Sequence, residues 1–228
     1  MPLPPPLQLT GPELCVVHAD EALLVLDKPC GLLSVPGRGP ELQDCLSARA
    51  QAHFSDARIV HRLDMATSGL LLMARGAAMQ RRLSQDFEAR SVHKRYVAVV
   101  AGELTQPAAA DDEGWGRIDL PIAADWPRRP LRVIDPVHGK PSITRWRLIG
   151  VPGKRPGTTR VALEPVTGRT HQLRVHLQAI GHPILGDALY GDAAVQAAST
   201  RLLLHASELR FRHPLTGEAL LFESEPPF

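Results

Sequence analysis

Hydrophobic positions fall along the chain in short runs broken by Gly, Pro and acidic turns, the pattern of a strand-rich domain. Residues 15–18 and 22–27 flank Ala19-Asp20-Glu21 and read as strand, turn, strand. Lys28-Pro29-Cys30-Gly31 breaks that run, and residues 34–40 hold too many Gly and Pro for regular structure. Residues 42–53 read as a helix, with Leu42, Leu46 and Ala50 at spacing four. Ile59-Val60 then enters a polar loop that runs from His61 through Arg62 and Asp64 to Thr67-Ser68-Gly69. Leu70 to Ala74 leaves it as five apolar residues in a row, which predicts a strand with no polar face. Arg62 and Asp64 are thereby predicted to sit beside the core on a loop held by two strands. Such a loop is either a solvated turn or a place where catalytic groups collect.

Residues 77–89 read as an amphipathic helix, with Met79, Leu83 and Phe87 on one stripe and Arg81, Arg82 and Gln85 turned away. Residues 94–100 form a strand that opens on Lys94-Arg95-Tyr96 and stops at Gly102. Residues 105–117 are an acidic, Ala- and Gly-rich surface excursion, and order resumes over 119–122. Residues 126–132 form an aromatic and basic loop, 142–148 alternate with period two, 150–159 are a basic hairpin tip and 161–166 a further strand. Thr170 caps a helix that continues to Ile180, with Leu173, Leu177 and Ile180 as its buried stripe and Gly181 and Pro183 as its stop. A loop over 186–191 follows, then strands at 202–204, 209–211 and 219–222, with a turn at 213–218. Three helices among many strands predict an α+β (mixed α/β) fold, a largely antiparallel mixed central sheet with flanking helices and loops. With no clean linker, the chain reads as a two-lobed single domain.

The chain has 228 residues, room for one large domain or two small ones, and its three cysteines form no CxxC pair. Reduced thiols and the absence of any apolar run near the roughly 18 residues of a membrane span predict a cytoplasmic protein without membrane contact. Residues 1–12, proline-rich and lacking a secretory pattern, are expected to be a flexible lead-in to a domain over 13–228. Net charge is only +2, but its distribution is uneven. Residues 58–95 hold 8 Lys/Arg against 3 Asp/Glu, and residues 126–160 hold 9 against 1. These blocks suit a polyanion if they share a face, and are ordinary solvated surface if they do not.

Several chemistries are excluded. There is no phosphate-binding Gly loop, no H-E-x-x-H, no G-x-S-x-G and no zinc-deaminase signature. His171 and His176 are five apart and diverge on a helix, so they suit packing and hydrogen bonding better than a metal pair. What remains is a lone carboxylate with arginines. An Asp beside an Arg is ionised at neutral pH, a poor general acid but a permanent nucleophile able to attack a sugar carbon or an electron-poor ring carbon. A buried Asp–Arg pair can equally be structural. Tyr96 and Trp126, read as exposed aromatics among arginines, tilt the balance toward single-stranded RNA, where bases stack and phosphates need cations.

His61-Arg62-Leu63-Asp64-Met65-Ala66-Thr67-Ser68-Gly69-Leu70 resembles the catalytic motif of the RluA-type pseudouridine synthase family. Lys28–Leu32 resembles its KPxGL segment, Lys94–Ala98 its K-x-Y-x-A segment and Gly168–His176 its GRxHQLRVH segment. His182–Asp187 and Leu204-His205-Ala206 also fit, in order, so the resemblance spans roughly residues 22–222. The wording of the Asp64 motif, residues 34–38 and Asp125-Trp126-Pro127 is nearest to the member that names the family. The resemblance implies the pseudouridine synthase fold with a central cleft, and an isomerase that converts uridine to pseudouridine in RNA. Asp64 would be the nucleophile. Tyr96 would stack on the flipped base and assist proton removal from C5, and Arg174 would pair with Asp64. Leu173 would pack under the base, and Arg62 would fill the space the nucleotide vacates. His61, Thr67, Arg169 and His171 would complete the substrate site. No metal and no organic cofactor is implied. The implied substrates are a tRNA anticodon stem-loop and a 23S rRNA hairpin, acted on by a monomer. Many relatives carry an N-terminal S4 RNA-binding domain; the stretch before the first hairpin is too short for one, so recognition is expected to rest on the synthase domain. Two alternatives come from other classes: a catalytically silent RNA-binding or RNA-folding module, and a metal-dependent phosphoesterase, which the scatter of carboxylates disfavours.

Overall fold

The computed structural model describes residues 14–107, 110–149 and 156–228. The expected lead-in, most of the basic hairpin tip and residues 108–109 of the acidic excursion lie outside them. Twelve strands and four α-helices follow one another through these residues. The first part holds β1 (Cys15–Ala19), β2 (Leu23–Lys28), α1 (Leu46–His53), β3 (Ala57–Ile59), β4 (Ser68–Arg75), α2 (Gly76–Glu88) and β5 (His93–Ala101). The middle holds β6 (Gly116–Asp119), β7 (Ile122–Ala124), β8 (Arg132–Ile134), β9 (Ile143–Leu148) and β10 (Thr158–Pro165). After them come α3 (Gln172–Ala179), α4 (Ala193–Ala197), β11 (Leu204–Arg212) and β12 (Ala219–Glu223).

The chain divides into two compact units, one formed by residues up to Lys94 with Ala206–Pro227, the other by Arg95–His205 with Phe228. In the first unit β2 pairs antiparallel with β1 and with β4, in register from Leu23 opposite Ala74 to Lys28 opposite Gly69. β3 pairs antiparallel with β4, and β12 with β11. As the unbroken apolar run requires, Leu70 to Ala74 are all 0% exposed. Leu70, Leu72 and Ala74 join Leu23, Val25, Leu83, Val92, Leu209, Phe211 and Phe222 in one core cluster. Met79 and Phe87 of α2 pack against it, so the helix stripe reads correctly from its spacing. Each fully buried Leu or Phe here contributes about 1.5–3 kcal/mol.

Between Gly69 and Leu70 the sheet leaves no slack. Gly69 has φ +105°, and a Cβ there would stand 2.3 Å from the Ala206 carbonyl oxygen. The polar loop before it therefore ends on a residue that only glycine can supply.

In the second unit β10 pairs antiparallel with β5 and β9, β9 with β6, and β7 with β8 in a separate two-stranded ladder. α3 packs near β8, β9 and β10. Residues Gln172 to Leu177 of α3 are all buried, so this helix is enclosed and not merely striped. Its apolar spacing reported one face, and the polar residues on the other faces are buried because each has a partner.

Three element readings change, and one helix, α4, had none. The helix predicted from Leu42 begins at Leu46, because Pro40–Leu42 forms a 3-10 turn and Cys45 is extended (φ −156°, ψ 163°). The Cys45 thiol caps the helix by accepting from the Ala48 N–H at 3.4 Å, while Leu42 is 40% exposed. α3 is not capped by Thr170. His171 precedes it in the left-handed region (φ 57°) without a side-chain cap, and the Gln172 side chain accepts from the Arg169 N–H at 3.0 Å instead. The two short strands at 202–204 and 209–211 are one strand, β11, whose polar members hid its continuity. α4, five residues long, is too short for periodicity to register, although Asp192 caps it on the Val195 N–H at 2.9 Å.

Candidate active site

The loop from Val60 to Thr67 is locked from beneath by residues of Lys28–Ser34. Lys28 is 0% exposed, and its ammonium donates to the carbonyls of Pro29 (2.8 Å), Leu32 (2.7 Å) and Met65 (3.1 Å). An ammonium has three donors, and all three are used. The Gly31 N–H donates to the Met65 carbonyl at 2.9 Å, and the Cys30 thiol to that of Ala66 at 3.1 Å. Ser34 grips the other end: its hydroxyl donates to the Leu63 carbonyl at 2.7 Å and accepts from the Leu63 N–H at 3.1 Å. Within the loop the Thr67 N–H donates to the Asp64 carbonyl at 3.0 Å. Asp64 is half-buried in this frame, Arg62 is exposed and Thr67 is buried. The backbone that carries the Asp64 side chain is therefore fixed before any substrate arrives.

His61 serves the strand beside the loop. Its Nε2 accepts the Leu72 N–H at 2.9 Å, taking over where the β3 ladder has stopped. Its ring stacks on Phe87, centroids 4.5 Å apart, and the Lys94 ammonium lies 5.4 Å from the same Phe87 ring centre. Burial, reinforced by the Lys94 charge, pushes the imidazole down to about 3. Burial also holds the Lys94 ammonium below the usual lysine range. His61 is therefore neutral, and with Nε2 accepting, its proton sits on Nδ1.

In the second unit the residues of interest gather around α3. Arg174 is 4% exposed and forks Asp187 with Nε at 2.8 Å and Nη2 at 2.7 Å; Asp187 is 0% exposed. Asp187 also accepts the N–H groups of Leu189 (2.9 Å) and Tyr190 (3.1 Å). Buried fork-to-fork geometry fixes the guanidinium plane. Its carbon lies 5.1 Å from the Tyr190 ring centre, and the Tyr190 hydroxyl accepts the Arg132 N–H at 2.9 Å and shares a 2.7 Å hydrogen bond with His171 Nδ1. Leu173 is buried beside them, and Arg169 is exposed at the turn before the helix.

Gln172 pins that turn. Its side chain accepts from the Thr167 hydroxyl at 2.7 Å and donates to the Ile143 carbonyl (2.9 Å) and Thr144 Oγ1 (3.1 Å). His176 is fully buried between Thr144 Oγ1 and the Leu120 carbonyl, each 2.9 Å away, and burial lowers its basicity. The carbonyl can only accept, so Nε2 carries the proton. The packing role expected of His176 is thus the observed one. Among the described residues no group of three or more His, Cys, Asp or Glu could hold a metal.

One expected property does not hold. Tyr96, read as an exposed aromatic, is 9% exposed, because it sits in β5 opposite Leu163 of β10. A strand paired within a sheet buries residues that the local sequence marks as surface. Trp126 is as exposed as expected, at 68%. The sequence reading gave no role to Lys28, Ser34, Gln172, Asp187 or Tyr190. Lys28 and Asp187 lay within quoted motifs, but nothing local says that a lysine will end among carbonyls or which acid a buried arginine will find.

Residues 22–179 match the family model described as RNA pseudouridylate synthase. The chain is 43% identical over 220 residues to the dual-specificity RNA pseudouridine synthase RluA of Pasteurella multocida, covering 96% of each chain. It is 45% identical over 215 residues to the protein of that name from Yersinia pestis, covering 94% of this chain and all of the other. Among solved structures it is similar to human RNA pseudouridylate synthase domain containing 1, with a TM-score of 0.74 and 29% identity over 95% of this chain and 84% of that one. No helix among the described residues is long and apolar enough to cross a membrane.

Proposed function

The chain belongs to the RNA pseudouridylate synthase family, and we propose that Asp64 is its nucleophile, Tyr96 the group that stacks on the flipped base, and Arg174 the cation that steadies the Asp64 carboxylate. The observation that carries the reading is the Asp64 loop, held at Met65, Ala66 and Leu63 by Lys28, Cys30 and Ser34. A surface turn with no chemical task needs no such frame.

Extracting a uridine costs a few kcal/mol of stacking, and Arg62, exposed on the same loop, fills the gap and meets phosphate. The Asp64 carboxylate bonds transiently to the substrate as the N1–C1′ bond breaks and the uracil rotates, and that bond is broken again once C5 has joined C1′. The C5 proton leaves for solvent, by way of Tyr96, and N1 takes one up. The atoms balance without oxidant or reductant. Leu173 packs under the base, while Arg169, Thr67, His171 and His61 complete its surroundings. Residues 13–228 act as the catalytic domain, as a monomer in the cytoplasm. The substrates are a tRNA anticodon stem-loop and a 23S rRNA hairpin, in keeping with the dual specificity that the relatives' names carry.

Stem-loops of both kinds labelled with tritium at uridine C5 test this. With chelator present, the protein releases tritium from both, and Asp64→Asn releases none while binding RNA normally. No release from either RNA, or release surviving in Asp64→Asn, defeats the proposal. Activity lost only to chelator points to metal chemistry instead.

A further inference from the structure

The chain has three tryptophans, and two are core residues: Trp115 is 3% exposed and Trp146 8%. Trp126 is 68% exposed. Its ring carries the Arg129 guanidinium 3.6 Å from its centre, which occupies one face. With that much surface exposed, the opposite face is open. The loop is braced. Asp125 accepts from Arg128 Nε at 2.7 Å, its N–H donates to the Leu131 carbonyl at 3.1 Å, and the Leu131 N–H donates to that of Arg128 at 3.0 Å. An indole left in water on a rigid loop serves nothing in the core. Capped on one side by the Arg129 cation, on a loop that also carries Arg128 and Arg132, it has the chemistry of a stacking platform for an unpaired base with its phosphates.

We propose that Trp126 is a docking site for an unpaired nucleotide of the RNA substrate, outside the nucleotide that reacts. This rests on the assignment of RNA as substrate and extends it to a specificity-determining contact. The platform is tied to α3. The Arg132 N–H at the end of the loop binds the Tyr190 hydroxyl, which also meets His171 Nδ1, and the Tyr190 ring lies under Arg174. A base stacked on Trp126 is therefore held in fixed register with Arg174. Flanking nucleotides are read through that register, and paired RNA, with no free base, is refused.

Trp126 is also its own reporter, since the other two indoles are shielded. Titrating the protein with a tRNA anticodon stem-loop quenches tryptophan emission, and a fully paired duplex of equal length does not. Trp126→Ala abolishes the quenching and raises KM for the stem-loop about tenfold while kcat holds. Trp126→Phe, which keeps an aromatic face, restores most of that KM. Unchanged emission on binding, or a Trp126→Ala KM equal to that of the wild type, overturns the docking site. In those outcomes wild-type tritium release continues, so the RNA assignment stands. Absence of release from any RNA, together with absence of binding, overturns both.

Discussion

At the scale of single residues, the least reactive-looking position in the motif has the clearest physical signature. His61 is pushed to about 3 by burial first and by Lys94 second. A histidine in an unfolded chain titrates near 6.5. The unfolded state therefore binds a proton that the folded state refuses. The stability His61 supplies is complete above about pH 6.5 and is lost as pH falls toward 3. Urea midpoints measured across that window should decline, and His61→Phe should flatten the decline while lowering the pH 7 midpoint. The second effect follows because the Leu72 N–H then loses its acceptor, at about 1–3 kcal/mol. Lys94→Met should raise the imidazole pKa seen by NMR without returning it to 6.5, because burial is the larger cause.

Between residues and fold stand the elements, and two of them are decided by one residue each. Gly69→Ala places a Cβ 2.3 Å from the Ala206 carbonyl at φ +105°, against backbone that cannot swing aside. The expected cost exceeds about 3 kcal/mol, the combined scale of overpacking and a disfavoured backbone. Thermal unfolding should show a large fall in Tm. At the start of α3, Gln172→Leu should cost about 1–3 kcal/mol by urea unfolding, since the buried Thr167 hydroxyl loses its acceptor while Thr144 keeps only its bond to His176. Gln172 sits in a quoted motif, yet Thr170 is what capping rules select. The rule fails because His171 turns left-handed between Thr170 and the helix, so Thr170 no longer stands at the N-cap position.

For the whole molecule, the basic blocks overstate the charge offered to RNA. Arg145 lies within 126–160, yet it is held by Glu164 at 2.9 Å and Asp111 at 2.6 Å beside Trp115. Arg95 pairs with the same Glu164 at 2.9 Å. Arg145→Ala should lower stability and leave the salt dependence of RNA affinity unchanged. Arg62→Ala should reduce the slope of log affinity against log salt by about 0.7–0.9, the contribution of one phosphate contact. Filter binding over a range of NaCl concentrations checks both.

The sequence by itself determined the strands of the core, the α2 stripe and the family, and it singled out Asp64 as the nucleophile proposed above. These are local facts: the apolar run 70–74, the spacing of Met79, Leu83 and Phe87, and short ordered motifs survive without knowledge of what packs on them. Tertiary structure alone decided that Tyr96 is buried, that Arg174 forks Asp187, that Lys28 spends its charge on three carbonyls, and that α1 starts four residues late. Each depends on a partner distant in sequence or on a neighbouring strand, and burial of a polar group is set by whether such a partner arrives. Periodicity reports which side of an element is apolar; only packing reports which polar groups it can afford to enclose.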